Sequence, residues 1–156
     1  MFFCLDGTAG SAGSKYESAS WESAVPYVPD VKEGKVIKVY DGDTITIAAK
    51  IYESSPVYRF SVRLRGIDTP EIKTKSETEK RLAIKARDFL ADRIMDKAVV
   101  LQNVSTEKYG RLLADVYHDG CLMNDLMLTS GHAVKYDGGT KEIPPSWLDG
   151  KKNSVS

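Results

Sequence analysis

Ten residues, Arg63-Leu64-Arg65-Gly66-Ile67-Asp68-Thr69-Pro70-Glu71-Ile72, constrain this chain more than any other stretch. Upstream, Phe60, Val62 and Leu64 alternate with Arg59, Ser61, Arg63 and Arg65. A period of two marks a strand with one buried face, so the opposite face is expected to carry a row of guanidinium groups. Gly66 then permits a close backbone approach. Asp68-Thr69-Pro70-Glu71 must leave the strand, because proline cannot donate to a ladder and biases Thr69 toward extended backbone. Two carboxylates are thereby set at a strand end beside arginines. Outward arginines on an amphipathic strand are common, and an aspartate at a strand end is ordinary. It is the combination that points to a site.

The 156 residues suffice for one domain with tails. Residues 1–30 are rich in Gly, Ser and Ala without sustained periodicity and are expected to form a flexible N-terminal tail. Trp21, Tyr27 and the prolines at 26 and 29 are candidates to dock its end. Residues 31–137 are expected to be the folded domain and 138–156 a C-terminal tail. The tail at 1–30 holds no motif residue and is expected to be dispensable for chemistry. Lys+Arg 22 against Asp+Glu 22 gives no net charge, so no global basic field announces a polyanion partner. The first 30 residues hold one lysine against four acids, which leaves the remainder about +3, compatible with such a partner. Cys4 and Cys121 fit neither a disulfide framework nor a zinc pattern. No apolar run reaches transmembrane length. Met1 to Leu5 is too short for a signal core and lacks a basic flank. The expectation is a monomer in an intracellular setting, with no membrane partner.

Lys35 to Tyr40 and Thr44 to Ile47 are β-branched and alternating, joined by Asp41-Gly42-Asp43, so 35–51 is a predicted hairpin. Residues 57–65 are the third strand. Ser76 or Thr78 caps a helix whose stripe is Leu82, Ala86, Phe89, Leu90 and Ile94. Ala98 to Val104 and Leu112 to Tyr117 are strands flanking the loop Lys108-Tyr109-Gly110-Arg111. Asn124 to Ser130 is a short helix stopped by Gly131. No third helix is expected before Ser146. The economical fold is mainly β with helices: a five-stranded OB-type barrel, a long helix after strand three and a short helix near the C-terminus.

Asp43, Asp68 and Glu71 are candidates for hard-cation chemistry, since Ca²⁺ and Mg²⁺ take oxygen ligands from separate segments. Taken alone, Asp41 and Asp43 are turn residues. The stretch is no EF-hand loop, because Tyr52 stands twelfth from Asp41. Carboxylates for a cation, a carboxylate for water and arginines for a phosphate together make a phosphodiesterase set. His118 sits in a turn and His132 follows a helix-ending glycine; nothing pairs either with a nucleophile.

Val39-Tyr40-Asp41-Gly42-Asp43-Thr44, Arg63 to Glu71, Lys108-Tyr109-Gly110-Arg111 and Met123-Asn124-Asp125 occur in the order and approximate spacing of the staphylococcal nuclease family. The resemblance covers roughly residues 33–136. It implies an OB-type barrel and a calcium-dependent endonuclease acting on DNA and RNA, cleaving the P–O5′ bond to leave 3′-phosphate ends. By the same resemblance, Asp43 and Asp68 ligate Ca²⁺ through side chains and Thr69 through its carbonyl. Glu71 matches the carboxylate that orients or deprotonates the attacking water. Arg63 and Arg111 match the two arginines that clamp the phosphate, and Tyr109 a tyrosine near it. Tyr136 lies one residue out of register with a base-binding tyrosine. Arg65 stands where the prototype has an apolar residue, and is a candidate either for a phosphate contact or for an acidic neighbour. The family's C-terminal helix is replaced here by Pro144-Pro145 and a polar tail.

A second reading comes from the fold alone, since OB barrels bind single strands without cutting them. A silent module, binding single-stranded nucleic acid or a protein, would be expected to lack Arg63, Glu71 or Arg111. All three are present.

Overall fold

A computed structural model of the chain describes residues 12–140 and 142–147. Parts of the 1–30 and 138–156 segments, with Met1 to Leu5 and Cys4 among them, lie outside the described residues. The strands are β1 (Glu33–Asp41), β2 (Thr44–Ala49), β3 (Tyr58–Leu64), β4 (Ile67–Asp68), β5 (Ala98–Thr106), β6 (Leu112–His118), β7 (Cys121–Leu122) and β8 (Val134–Lys135). The helices are α1 (Ala12–Lys15), α2 (Glu77–Ile94) and α3 (Met123–Thr129), with a single 3₁₀ turn at Pro145–Trp147.

The long strands close on themselves. β1 pairs antiparallel with β2 through the Asp41-Gly42-Asp43 turn. β2 pairs with β3 in the register Thr44↔Arg63 to Ala49↔Tyr58. β5 runs antiparallel to both β1 and β6. β3 and β6 then pair in parallel, Val62 opposite Leu112, which completes a mixed five-stranded barrel. Closure removes the open edges that a sheet of this size would otherwise expose. The alternating residues fill it: Val36, Ile45, Ile47, Val62, Leu64, Ala114 and Val116 are fully buried.

Helix α2 packs against the barrel through β1. Ser76 is its N-cap, with extended backbone, and its hydroxyl accepts from the Glu79 amide at 3.1 Å. The buried stripe is Glu79, Ala83, Ala86, Leu90 and Ile94, at spacings of three and four. It is rotated slightly from the expected one: Leu82 and Phe89 are only half-buried, and Ala83 takes the inner position. Small residues face inward because α2 packs close to β1 and α3. Ser76→Ala is expected to lower stability by about 1 kcal/mol, read as a shifted urea midpoint at unchanged slope.

Two glycines have different reasons. A Cβ on Gly42 would lie 2.8 Å from Ala86 Cβ and 2.9 Å from Thr69 Cγ2, so this turn is pressed against α2 and the segment after β4. Gly66 has open space around it and a φ of +76°. Its requirement is therefore left-handed backbone, not the close approach expected of it; the close approach belongs to Gly42. Asn124, buried at the start of α3, accepts from the Val116 amide at 3.0 Å and donates to the Arg65 carbonyl at 2.8 Å. It ties α3 to β6 and to the bend after β3.

Candidate active site

The β1–β2 turn, the end of β3, the segment after β4 and the loop before β6 meet at one mouth of the barrel. They enclose a cleft of about 240 Å³ lined by Asp43, Arg63, Asp68, Thr69, Glu71 and Arg111, with Tyr40, Asp41, Ile72 and Lys73 around them. Six of the nine residues singled out from the sequence therefore share one cavity. They come from four separate segments, brought together by the Thr44↔Arg63 register and the parallel β3–β6 pair.

Arg63 is the hub. Its Nη1 lies 3.0 Å from Asp43 Oδ2 and its Nη2 3.1 Å from Asp68 Oδ1. The same Nη2 donates to the Ile67 carbonyl at 3.3 Å. Asp43 and Asp68 are 3% and 6% exposed. Asp43 Oδ1 accepts from the Thr44 hydroxyl at 2.8 Å. Burial, with the charge of Asp41 behind it, pushes the Asp43 carboxyl up to about 7, and Arg63 offsets only part of that. The Arg63 guanidinium is itself held above its ordinary range by Asp43 and Asp68, against desolvation that lowers it.

This donor set suits a hard divalent ion. Two buried carboxylates face a common point, and the one cation bridging them here is a guanidinium. Thr69, 2% exposed, lines the same cleft. Oxygen-only ligation from separate segments is what Ca²⁺ or Mg²⁺ takes. Among the described residues no cluster of three or more His, Cys, Asp and Glu is placed to hold a metal. Any such ion would rely on Asp43, Asp68, the Thr69 carbonyl and water.

Glu71 sits exposed at the rim. Its backbone is held by Glu79, which lies outside the site residues singled out from the sequence. Buried Glu79 accepts from the Glu71 amide at 3.2 Å and from the Thr74 hydroxyl at 2.6 Å. The Ser76-x-x-Glu79 spacing was the available signal, since an acid at that helix position reaches back toward the preceding chain. Arg111 is oriented by Glu107. Its Nε and Nη2 fork onto the two Glu107 oxygens, the second at 3.1 Å. A fork held this way keeps a planar donor fixed at the cleft wall.

The other three residues lie outside the cleft lining. Arg65 turns away because the strand ends at Leu64 and the left-handed Gly66 follows. Its Nη2 donates to the Asn103 and Leu113 carbonyls and to Ser105 Oγ. It is a strut across the β5–β6 irregularity, bonded to backbone and hydroxyl oxygens, so the expected row of guanidiniums is broken. Tyr109 is 72% exposed beside Lys108, whose Nζ is 4.9 Å from its ring centre. Tyr136 stands near the Arg63 guanidinium, 5.8 Å from ring centre to Cζ, and lines an adjoining cavity with Arg65. His118 Nδ1 meets the Ala98 carbonyl at 2.9 Å, and His132 packs on Phe89 with ring centres 4.4 Å apart. Burial, with Arg93 and Lys85 nearby, lowers the His132 pKa. Neither histidine reaches the cleft.

Comparison with known proteins places the sequence among nuclease relatives. An uncharacterized protein of Bacillus anthracis is 34% identical over 105 residues, 65% of this chain and 46% of that protein. An uncharacterized endonuclease of Haemophilus influenzae is 32% identical over 120 residues, 77% of this chain and 60% of that one. A staphylococcal-like nuclease of Arabidopsis thaliana is 33% identical over 82 residues, 51% of this chain and 24% of the plant protein. The chain thus spans roughly half the length of the curated relatives it matches. No helix among the described residues is long and apolar enough to cross a membrane. The profile of the staphylococcal nuclease homologues matches residues 61–144, just over half of the 156 residues, and the chain belongs to that family.

Proposed function

We propose that this chain is a calcium-dependent endonuclease that hydrolyses phosphodiester bonds of DNA and RNA and leaves 3′-phosphate ends. The observation that carries the reading is the convergence of Asp43, Arg63, Asp68, Thr69, Glu71 and Arg111 on one cleft. Family membership and the naming of relatives as endonucleases support it. The choice of calcium and the 3′-phosphate product follow from the resemblance of the motifs to the nuclease prototype.

Asp43, Asp68 and the Thr69 carbonyl would hold the ion, which when bound supplies positive charge beside the reacting phosphate. The chain's own groups do the rest. Arg63, from the end of β3, and Arg111, from the loop before β6, reach the cleft and offer N–H donors to the non-bridging oxygens. Preorganised donors of that kind contribute about 2.7–4 kcal/mol each when they meet charge that develops in the transition state. Glu71, fixed through its amide by Glu79, can accept a proton from water and orient it in line with the P–O5′ bond. The O5′ oxygen then leaves with the downstream, 3′-side fragment and takes a proton from solvent to become a 5′-hydroxyl, while the upstream fragment keeps the phosphate on its 3′ end.

Incubation of the purified protein with plasmid and with RNA, in calcium and in chelator, tests this directly. Cleavage of both in calcium, none in chelator, and 3′-phosphate ends are the expected results. Asp68→Ala should raise the calcium concentration for half-maximal activity by about tenfold or more, because ligand charge count sets affinity. Full activity in chelator would rule the metal out.

A further inference from the structure

Strand β3, which carries Arg63, and the loop before β6, which carries Arg111, also border a second concavity. It measures about 850 Å³, and its lining includes Trp21, Tyr27 and Pro29 from the segment before β1, with Arg59, Phe60 and Lys108 from the barrel. Trp21 is 92% and Tyr27 73% exposed. Exposed aromatics gathered along one concavity form the kind of contiguous apolar patch that marks a binding surface, where singly scattered surface apolars do not. The wall is shaped by its own bonds. Ser20 and Ser23 close a turn, with the Ala24 amide donating to the Ser20 carbonyl at 2.9 Å. Pro26 and Pro29 stiffen the stretch beyond that turn, and Val31, 1% exposed, anchors it in the core.

Two features choose the occupant. The charges in the lining are Arg59 and Lys108 against Glu107, and Glu107 is already forked by Arg111. The groove therefore presents net positive charge beside aromatic faces, the combination that binds single strands by stacking and backbone contacts. It is also continuous with the cleft. Ser61 lines the groove and Arg63 the cleft, two residues apart on one strand and so about 6–7 Å. Gly110 and Leu112 line the groove while Arg111 between them lines the cleft.

We infer that this groove is a subsite for a single-stranded stretch of nucleic acid flanking the bond to be cut, with bases stacked on Trp21 and Tyr27 and phosphates met by Arg59 and Lys108. The inference rests on the cleft acting on nucleic acid. It gives the segment before β1 a part in holding long substrates.

The test is fluorescence titration of the full chain, in chelator, with single-stranded oligothymidylates of roughly 4 and 12 nucleotides. Trp147 is 6% exposed, so Trp21 is the tryptophan that added bases can reach. The longer oligomer should quench Trp21. The combined Trp21→Ala and Tyr27→Ala variant should bind it about tenfold or more weakly, with less loss for the shorter one. Trp21→Phe should abolish the quench and keep most of the affinity, and Tyr16→Ala, outside the groove, should change nothing. Both replaced aromatics are largely exposed, and a matching thermal melt will show that folding is intact. Unchanged affinity in the double variant, with wild-type protein that cuts in calcium, overturns the groove and leaves the nuclease reading standing. Quenching and length-dependent binding without hydrolysis upholds the groove and sinks the nuclease. Self-association of the wild type that the double variant abolishes, without quenching by oligomer, makes the groove a contact between copies and overturns the inference.

Discussion

Glu71→Gln is expected to lower kcat by about 10²–10⁴-fold, the range that a positioned proton acceptor contributes. Binding of uncleaved nucleic acid should stay equal or tighten. The variant keeps the side chain's shape and removes one negative charge near a polyanion. The tether that places residue 71, from its amide to Glu79 Oε1, is a backbone contact and survives the change. Hydrolysis and filter binding on the same preparation separate a catalytic role from a binding one. A module that only binds has no turnover to lose, and its response is confined to affinity. A Glu71→Gln protein that cuts at the wild-type rate would remove Glu71 from the mechanism. Glu79→Gln offers a graded companion: it weakens the hold on the Glu71 amide without touching substrate. Its loss should fall between wild type and Glu71→Gln.

Much of the barrel was legible because its strands bury one face. Thr44-Ile45-Thr46-Ile47 and Phe60-Ser61-Val62 carry the period-two pattern, and the Asp41-Gly42-Asp43 turn dictates that β1 and β2 pair. The cleft was legible for a related reason: Asp68, Thr69 and Glu71 cluster within a few residues, and the motif order brings Asp43 and Arg111 to them. What periodicity cannot give is a side chain's partner once the regular strand stops. Arg65 continues the alternation on paper, yet β3 ends one residue earlier and its guanidinium bonds to β5 and β6 instead. The hold of Glu79 on Glu71 spans eight residues across an irregular loop, where neither 2.0 nor 3.6 periodicity applies. The α2 stripe was misplaced by part of a turn because Leu82 and Phe89 outrank Ala83 in hydrophobicity, while close packing selects the small residue. Trp21 and Tyr27 were candidates to dock the end of the first segment, and they line one concavity with barrel residues while staying largely exposed; which barrel residues they face lay beyond periodicity, since the first 30 residues have no sustained period.

Removing Arg63 is expected to act in opposite directions on metal affinity and on turnover. Arg63→Ala leaves Asp43 and Asp68 facing each other with the bridging guanidinium gone. Breaking a buried pair by removing one partner costs about 3–5 kcal/mol, because a charge is left uncompensated. The metal-free variant should therefore melt well below wild type. Asp43 has one way to relieve the cost, which is to take a proton. Its carboxyl already stands at about 7 in the folded protein, above its unfolded value, and loss of the guanidinium raises it further. Stability conferred by the protonated form is lost as pH rises through that folded pKa, so the deficit of Arg63→Ala should widen from neutral pH upward. Calcium should reverse it. An ion that binds only the folded state adds stability by mass action, and two carboxylates relieved of a competing cation should bind it more tightly than in wild type. The variant should thus gain more in melting temperature from calcium than wild type does, while kcat in saturating calcium falls by about 10²–10³-fold for the lost donor. Arg63→Lys is the informative middle case. It restores a positive charge and most of the stability, yet a point charge cannot grip both carboxylates and a phosphate oxygen as the planar fork does. Melts in chelator and in calcium, paired with hydrolysis rates, read all of this out. If Arg63→Ala melts like wild type in chelator and shows the same calcium shift, Arg63 is not the group that holds the two carboxylates together.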